Sequence, residues 1–151
     1  MKKKVVAILA TVALVSTLST TAMARDAKPE SDSSSSPNVF YGVGDYFTAT
    51  FDSFNDLDYY SWYNDGPART VFLYFWQPNY TTLDYGINSV GISGSTPGAS
   101  QRLWKANGRE NWQVYVPAGS TLTVDTRSFT YSGTNPNVKY ELLLNSGYTP
   151  Q

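Results

Sequence analysis

From Phe40 onward, apolar and polar residues alternate in short runs broken by Gly, Pro, Asn and Asp. A period of two puts successive side chains on opposite faces of a strand. Tyr46 to Phe51 reads as a strand with Phe47, Ala49 and Phe51 on one face, and Leu57 to Tyr63 as a second. Arg69 to Gln77 carries the strongest signal, rich in β-branched and aromatic residues on both faces. Val71, Leu73 and Phe75 make its inner row and leave Phe72, Tyr74 and Trp76 on the other side. Further strands are predicted over Tyr85 to Ile92, Gln101 to Lys105, Asn111 to Val116, Thr121 to Thr126, Phe129 to Tyr131 and Val138 to Leu144. Trp112, Val114 and Val116 share a side, as do Leu122 and Val124, and as do Val138, Tyr140, Leu142 and Leu144.

Turn chemistry separates these runs at Asn64-Asp65-Gly66-Pro67, Pro97-Gly98, Asn107-Gly108, Pro117-Ala118-Gly119 and Asn135-Pro136-Asn137. Closely spaced turn signals with no sustained 3.6-residue period predict an all-β fold. The expectation is a single antiparallel β-sandwich, jelly-roll-like or immunoglobulin-like, over residues 39–151.

The N-terminus has a different character. Lys2, Lys3 and Lys4 precede an apolar run from Val5 to Val15, and Ala22-Met23-Ala24 offers small residues for cleavage. The run is shorter than the roughly 20 residues needed to span a bilayer. Residues 1–24 therefore read as a secretory signal peptide cut after Ala24, and the protein as secreted and extracellular. Residues 25–38 hold Ser33 to Ser36 between Pro29 and Pro37 and contain no aromatic residue. They read as a flexible Ser-rich linker.

Composition narrows the chemistry. The chain has no cysteine and no histidine, which excludes disulfides, thiolate nucleophiles, Cys-based zinc sites and every mechanism that needs an imidazole. Export without disulfides suggests a bacterial source. Removing the leader lowers Lys plus Arg from 11 to 8 while Asp plus Glu stays at 12, a net charge of −4. A mildly acidic domain has no basic surface for nucleic acid or for anionic membranes, so neither nucleic-acid binding nor membrane insertion is expected.

The stretch Asn55-Asp56-Leu57-Asp58-Tyr59-Tyr60-Ser61-Trp62 resembles the Asp-x-Asp-x-Tyr-x-aromatic start of bacterial pre-peptidase C-terminal domains. Leu83 to Gly86, Val116 to Val124 and Lys139 to Leu144 resemble that family's later segments in the same order. The resemblance implies a small secreted β-sandwich that binds or assists export and does not catalyse. It also implies that Tyr60 and Trp62 point into the core, which turns Tyr59, Ser61 and Tyr63 outward. Some members of that family bind calcium.

Three constellations are candidates for function. Asp52, Asn55, Asp56 and Asp58 gather oxygen ligands of the kind calcium takes, with Asp56 and Asp58 the candidate metal ligands. The spacing is not that of an EF-hand, and Asp58 can equally serve turn chemistry by bonding to nearby backbone amides. The outward Tyr59, Tyr63, Tyr74 and Trp76 are the candidate ligand-binding residues. Rings with a polar handle stack on sugars or anchor a protein surface, and the same rings also stabilise a sheet by cross-strand packing. For catalysis, Glu110 is expected in the turn after Asn107, with Asp84 or Asp125 as conceivable partners at no fixed distance. No cofactor is required by these residues, although calcium fits them.

The reading that follows is a secreted, non-catalytic binding module for extracellular carbohydrate or a protein surface. The alternatives are a self-assembling structural protein and a secreted protease inhibitor or accessory domain.

Overall fold

The alternating runs pair into two sheets. The computed structural model describes residues 24–27, 31–78, 83–130 and 134–148. The strands are β1 (Ala24–Asp26), β2 (Asn38–Val39), β3 (Tyr46–Thr50), β4 (Leu57–Tyr63), β5 (Arg69–Trp76), β6 (Tyr85–Ser93), β7 (Ala99–Ala106), β8 (Arg109–Val116), β9 (Thr121–Ser128) and β10 (Lys139–Asn145). A six-stranded sheet has the order β1-β3-β10-β5-β8-β7, and a four-stranded sheet the order β2-β4-β9-β6. Consecutive strands mostly alternate between the sheets, the jelly-roll manner of winding. The exception is β7–β8, a tight hairpin in one sheet. Its two turn residues, Asn107 (φ 51°) and Gly108 (φ 70°), both take positive φ, as the favoured two-residue hairpin turn requires.

The inner rows match the sequence pattern. Phe47, Ala49 and Phe51, then Val71, Leu73 and Phe75, then Tyr140, Leu142 and Leu144 are buried from the six-stranded sheet. Tyr60, Trp62, Leu122 and Val124 meet them from the other. Burying a side chain of this size stabilises the fold by about 1.5–3 kcal/mol. At the centre the Tyr140 ring is stacked between Phe51 and Phe75, with centroids 4.8 and 5.0 Å away.

Four features differ from the sequence pattern. First, the stretch expected to be a linker borders both sheets. β1 pairs in parallel with β3, and β2, which begins at Asn38, pairs in parallel with β4. Arg25 is ion-paired with Asp45 and lies over Tyr41 and Phe47, at 4.0 and 4.7 Å from the ring centroids. Ala27 is buried and its N–H reaches Thr48 O. These are non-local contacts that composition does not register. The parallel pairings also qualify the expectation of an antiparallel sandwich, which holds for the other strand pairs. Second, Phe129 and Thr130 are not strand. Phe129 N donates to Asp84 O, and Asp84 N donates to Thr130 Oγ1, so this segment is a loop tied to the β5–β6 connection. Tyr131 lies outside the described residues. Third, β7 is longer than expected and carries a bulge between Arg102 and Trp104. Fourth, Glu110 is in β8 and faces inward, because the turn before it has only two residues. Of the expected signal peptide, the described residues include only Ala24.

Candidate functional site

The outer face of the six-stranded sheet gathers most of the outward aromatic rings. Phe72, Tyr74 and Trp76 follow one another along β5, all half-buried. Antiparallel partners share a face, so the register fixes their neighbours. Phe72 is opposite Gln113, Tyr74 opposite Asn111, and Trp76 opposite Arg109 on β8. On the other flank they meet Asn145, Leu143 and Glu141 of β10. One strand further, Gln101, Trp104 and Ala106 of β7 continue these rows, and Tyr46 of β3 sits beside Leu143. Tyr74 and Trp104 lean together over Asn111, with centroids 6.4 Å apart and planes at 62°. Asn111 between them is fully buried. Phe72 meets Tyr148 edge-on at 6.4 Å, and the Arg109 guanidinium lies 5.8 Å from the Trp76 ring.

The four ring residues singled out from sequence do not form one surface. Tyr74 and Trp76 are on the face just described. Tyr59 and Tyr63 are on β4, on the outside of the four-stranded sheet, where Tyr63 is 56% exposed. Two sheets packed about 10 Å apart separate the pairs. Around Tyr59 and Tyr63 the cross-strand neighbours are Asp125, Thr123, Thr121, Ser89, Gly91 and Ser93, a hydroxyl-rich surface. Asp125 there accepts hydrogen bonds from Asn88 Nδ2 at 2.6 Å and from Ser89 Oγ. The face with Tyr74 and Trp76 instead includes Trp104 and Tyr115 of the β7–β8 hairpin, which strand-by-strand reading does not connect to β5.

The acidic stretch before β4 brings Asp56 and Asp58 together with Asp32, one carboxylate oxygen from each within 4.8 Å of the others. Asp58 is fully buried, Asp56 half-buried and Asp32 exposed. Burial raises the Asp56 pKa above the ordinary carboxylate value, and the nearby charges of Asp32 and Asp52 add to the rise, while the Asp52 N–H opposes it. Asp56 accepts the Asp52 N–H at 2.7 Å. Asn55 is exposed. Three carboxylates are hard oxygen donors, suited to calcium rather than to a softer metal. Asp32 belongs to the Ser-rich stretch, and no local signal marks it as a partner of Asp56.

Two interior polar groups bridge the sheets. Tyr140 of β10 donates to Asp58 of β4, and its oxygen lies 2.8 Å from Thr126 Oγ1 of β9. Glu110 of β8 accepts the Ile87 N–H at 2.9 Å and the Trp112 Nε1–H at 3.0 Å, and is ion-paired with Arg102 at 3.3 Å. Beside it Lys105 is paired with Asp84 at 2.9 Å. A Cβ at Gly86 would come within 2.8 Å of Glu110 Oε2 and 3.0 Å of Lys105 Nζ, so a larger residue here would have to displace these two side-chain ends. Of the carboxylates that sequence offered for acid–base work, Glu110 and Asp84 are thus held in contacts that join the β6 region to the β7–β8 hairpin, while Asp125 lies apart from them on β9.

No protein-family model matches the chain, and no curated protein is similar to it.

Proposed function

We propose that the domain is an exported, non-catalytic binding module whose six-stranded outer face recognises an uncharged extracellular carbohydrate. The observation that carries this reading is the row Phe72, Tyr74, Trp76 with Trp104 alongside, interleaved with the amides of Asn111 and Gln113. Rings offer flat apolar contact, and amides offer paired donors and acceptors, the two needs of a sugar ring. Charged neighbours are confined to the far end, at Arg109 and Glu141. The resemblance of Asn55 to Trp62 to pre-peptidase C-terminal domains points the same way, toward an accessory rather than a catalytic part. The engagement of Glu110 and Asp84 in ion pairs supports the non-catalytic assignment.

Assembly through edge strands is less favoured. The exposed edge β7 is interrupted by its bulge and carries Arg102 and Lys105, devices that resist strand addition. Asp32, Asp56 and Asp58 are proposed to take calcium as a structural ion, remote in role from the ligand face.

The test is retention of the mature protein on microcrystalline cellulose, chitin, xylan and starch, with serum albumin as the control for adhesion. Retention on at least one glycan, beyond that of albumin, is the expected result. Passage through all four overturns the carbohydrate reading.

A further inference from the structure

The outer face of the six-stranded sheet is not flat along its length. At the end of β5 remote from Trp76, Tyr115 of β8 stands between Thr70 of β5 and Ala99 of β7, its two cross-strand partners. Both neighbours are small, so the ring has room on each flank. The result is a hollow of about 250 Å³, open to solvent and lined by Thr70, Ala99, Ser100, Gln101, Gln113 and Tyr115. Gln101 and Gln113 are themselves cross-strand partners, so both side chains leave the sheet on the face of the hollow and both line it.

We propose that this hollow is a ring-sized subsite for one sugar unit of a neutral polysaccharide whose chain lies along β5. The inference rests on the carbohydrate reading above and adds a location, a chain direction and a specificity element to it. The volume decides the size of the occupant. Pockets that enclose a drug-sized molecule run from roughly 300 to 1,000 Å³, so this hollow takes a single ring and leaves the rest of the ligand outside. The lining decides its chemistry. It holds two amides, the Thr70 and Tyr115 hydroxyls and one aromatic ring, with no ionised group. A sugar's C–H face stacks on Tyr115, and its hydroxyls meet Gln101 and Gln113. From there Phe72, Tyr74 and Trp76 continue along the strand at two-residue steps, about 6.6–6.8 Å apart. A linear chain can therefore touch the hollow and the ring row together. A peptide would instead seek the backbone of β7, where the bulge between Arg102 and Trp104 breaks the register it needs.

The experiment measures binding of the mature protein to the four glycans and to their soluble oligosaccharides. Its variants are Tyr115→Ala, Ala99→Trp, Gln113→Ala and the pair Tyr74→Ala/Trp76→Ala. Tyr115 is 42% exposed and Ala99 is on an exposed edge strand, so the fold is expected to withstand both changes, and a thermal midpoint near that of wild type is the check made on each variant before its binding is read. Tyr115→Ala is expected to weaken oligosaccharide binding about tenfold, the effect of losing one well-packed aromatic contact. Ala99→Trp, which fills the hollow, is expected to weaken it at least as much, and Gln113→Ala several-fold. If wild type binds and Tyr74→Ala/Trp76→Ala abolishes binding while Tyr115→Ala and Ala99→Trp stay within twofold, the hollow is not a subsite and the carbohydrate reading stands. If wild type binds none of the glycans but retains an extended peptide, both are overturned.

Discussion

The phenolic oxygen of Tyr60 lies 2.6 Å from that of Tyr140, although the two residues belong to different sheets and are 80 positions apart. Tyr140 reaches across the sandwich, its ring held between Phe51 and Phe75 and its hydroxyl within a set formed by Tyr60, Asp58 and Thr126. Tyr140→Phe keeps the stacking and removes the hydroxyl on which these groups converge. Losing one partner in a buried network costs about 1–3 kcal/mol. The unfolding free energy of Tyr140→Phe is expected to fall by that amount, seen as a urea midpoint lowered by that amount divided by an unchanged slope. An unchanged midpoint would remove the network from the account of stability.

The same residue sets an alkaline limit. Burial holds the Tyr140 pKa well above its ordinary value of 10.0, with the Tyr60 and Asp58 groups adding to the rise. A group with a raised folded pKa contributes stability that is fully present below its unfolded value and is lost as pH climbs toward the folded one. Stability is therefore expected to hold up to about pH 10 and then to fall by about 1.4 kcal/mol per pH unit for this tyrosine. Tyr85, also raised by burial, steepens the decline. Denaturant melts from pH 8 to 11.5 measure this, and Tyr140→Phe should show the shallower loss.

Gln77 is 1% exposed at the end of β5, and its amide finds no hydrogen-bond partner among the described residues. A buried amide without a partner costs about 1–3 kcal/mol. Gln77→Met preserves length and volume and removes the polar atoms. It is expected to raise the thermal midpoint by several degrees, where a loss of stability would show that the amide is satisfied.

The three-carboxylate cluster gives a metal prediction. Millimolar calcium is expected to raise the melting temperature relative to chelator, since a ligand at a hundred times its dissociation constant stabilises by about 2.7 kcal/mol. Asp32→Asn and Asp56→Asn should each abolish the shift. Because the Asp56 pKa is raised, calcium competes with a proton there, and the shift should grow as pH rises from 4 to 7. Equal melting temperatures with calcium and with chelator would restrict these residues to turn chemistry.

The strands and their inner rows were legible in the sequence because a period of two is a local property. Val71, Leu73 and Phe75 could be assigned inward from their own strand alone. The assignment of strands to sheets is not local, and this is why Tyr59 and Tyr63 could not be told from Tyr74 and Trp76. Each pair points outward, but from opposite sheets. Tyr115 joins β5 through the β5–β8 pairing, and Trp104 only through the further register of the β7–β8 hairpin. Asp32 joins Asp56 only because the N-terminal segment borders both sheets. Glu110 reads as a turn residue until the two-residue turn at Asn107-Gly108 is fixed, after which its place in β8 turns it inward.

The opposite placement of the two ring pairs supplies the most direct test of the binding face. The retained fraction on the glycan that holds wild type should be measured for Tyr74→Ala/Trp76→Ala and for Tyr59→Ala/Tyr63→Ala, both confirmed as folded by circular dichroism. Loss of retention in the first pair with wild-type retention in the second is the predicted result. Equal retention in the two variants, or loss only in the second, contradicts a ligand face on the six-stranded sheet.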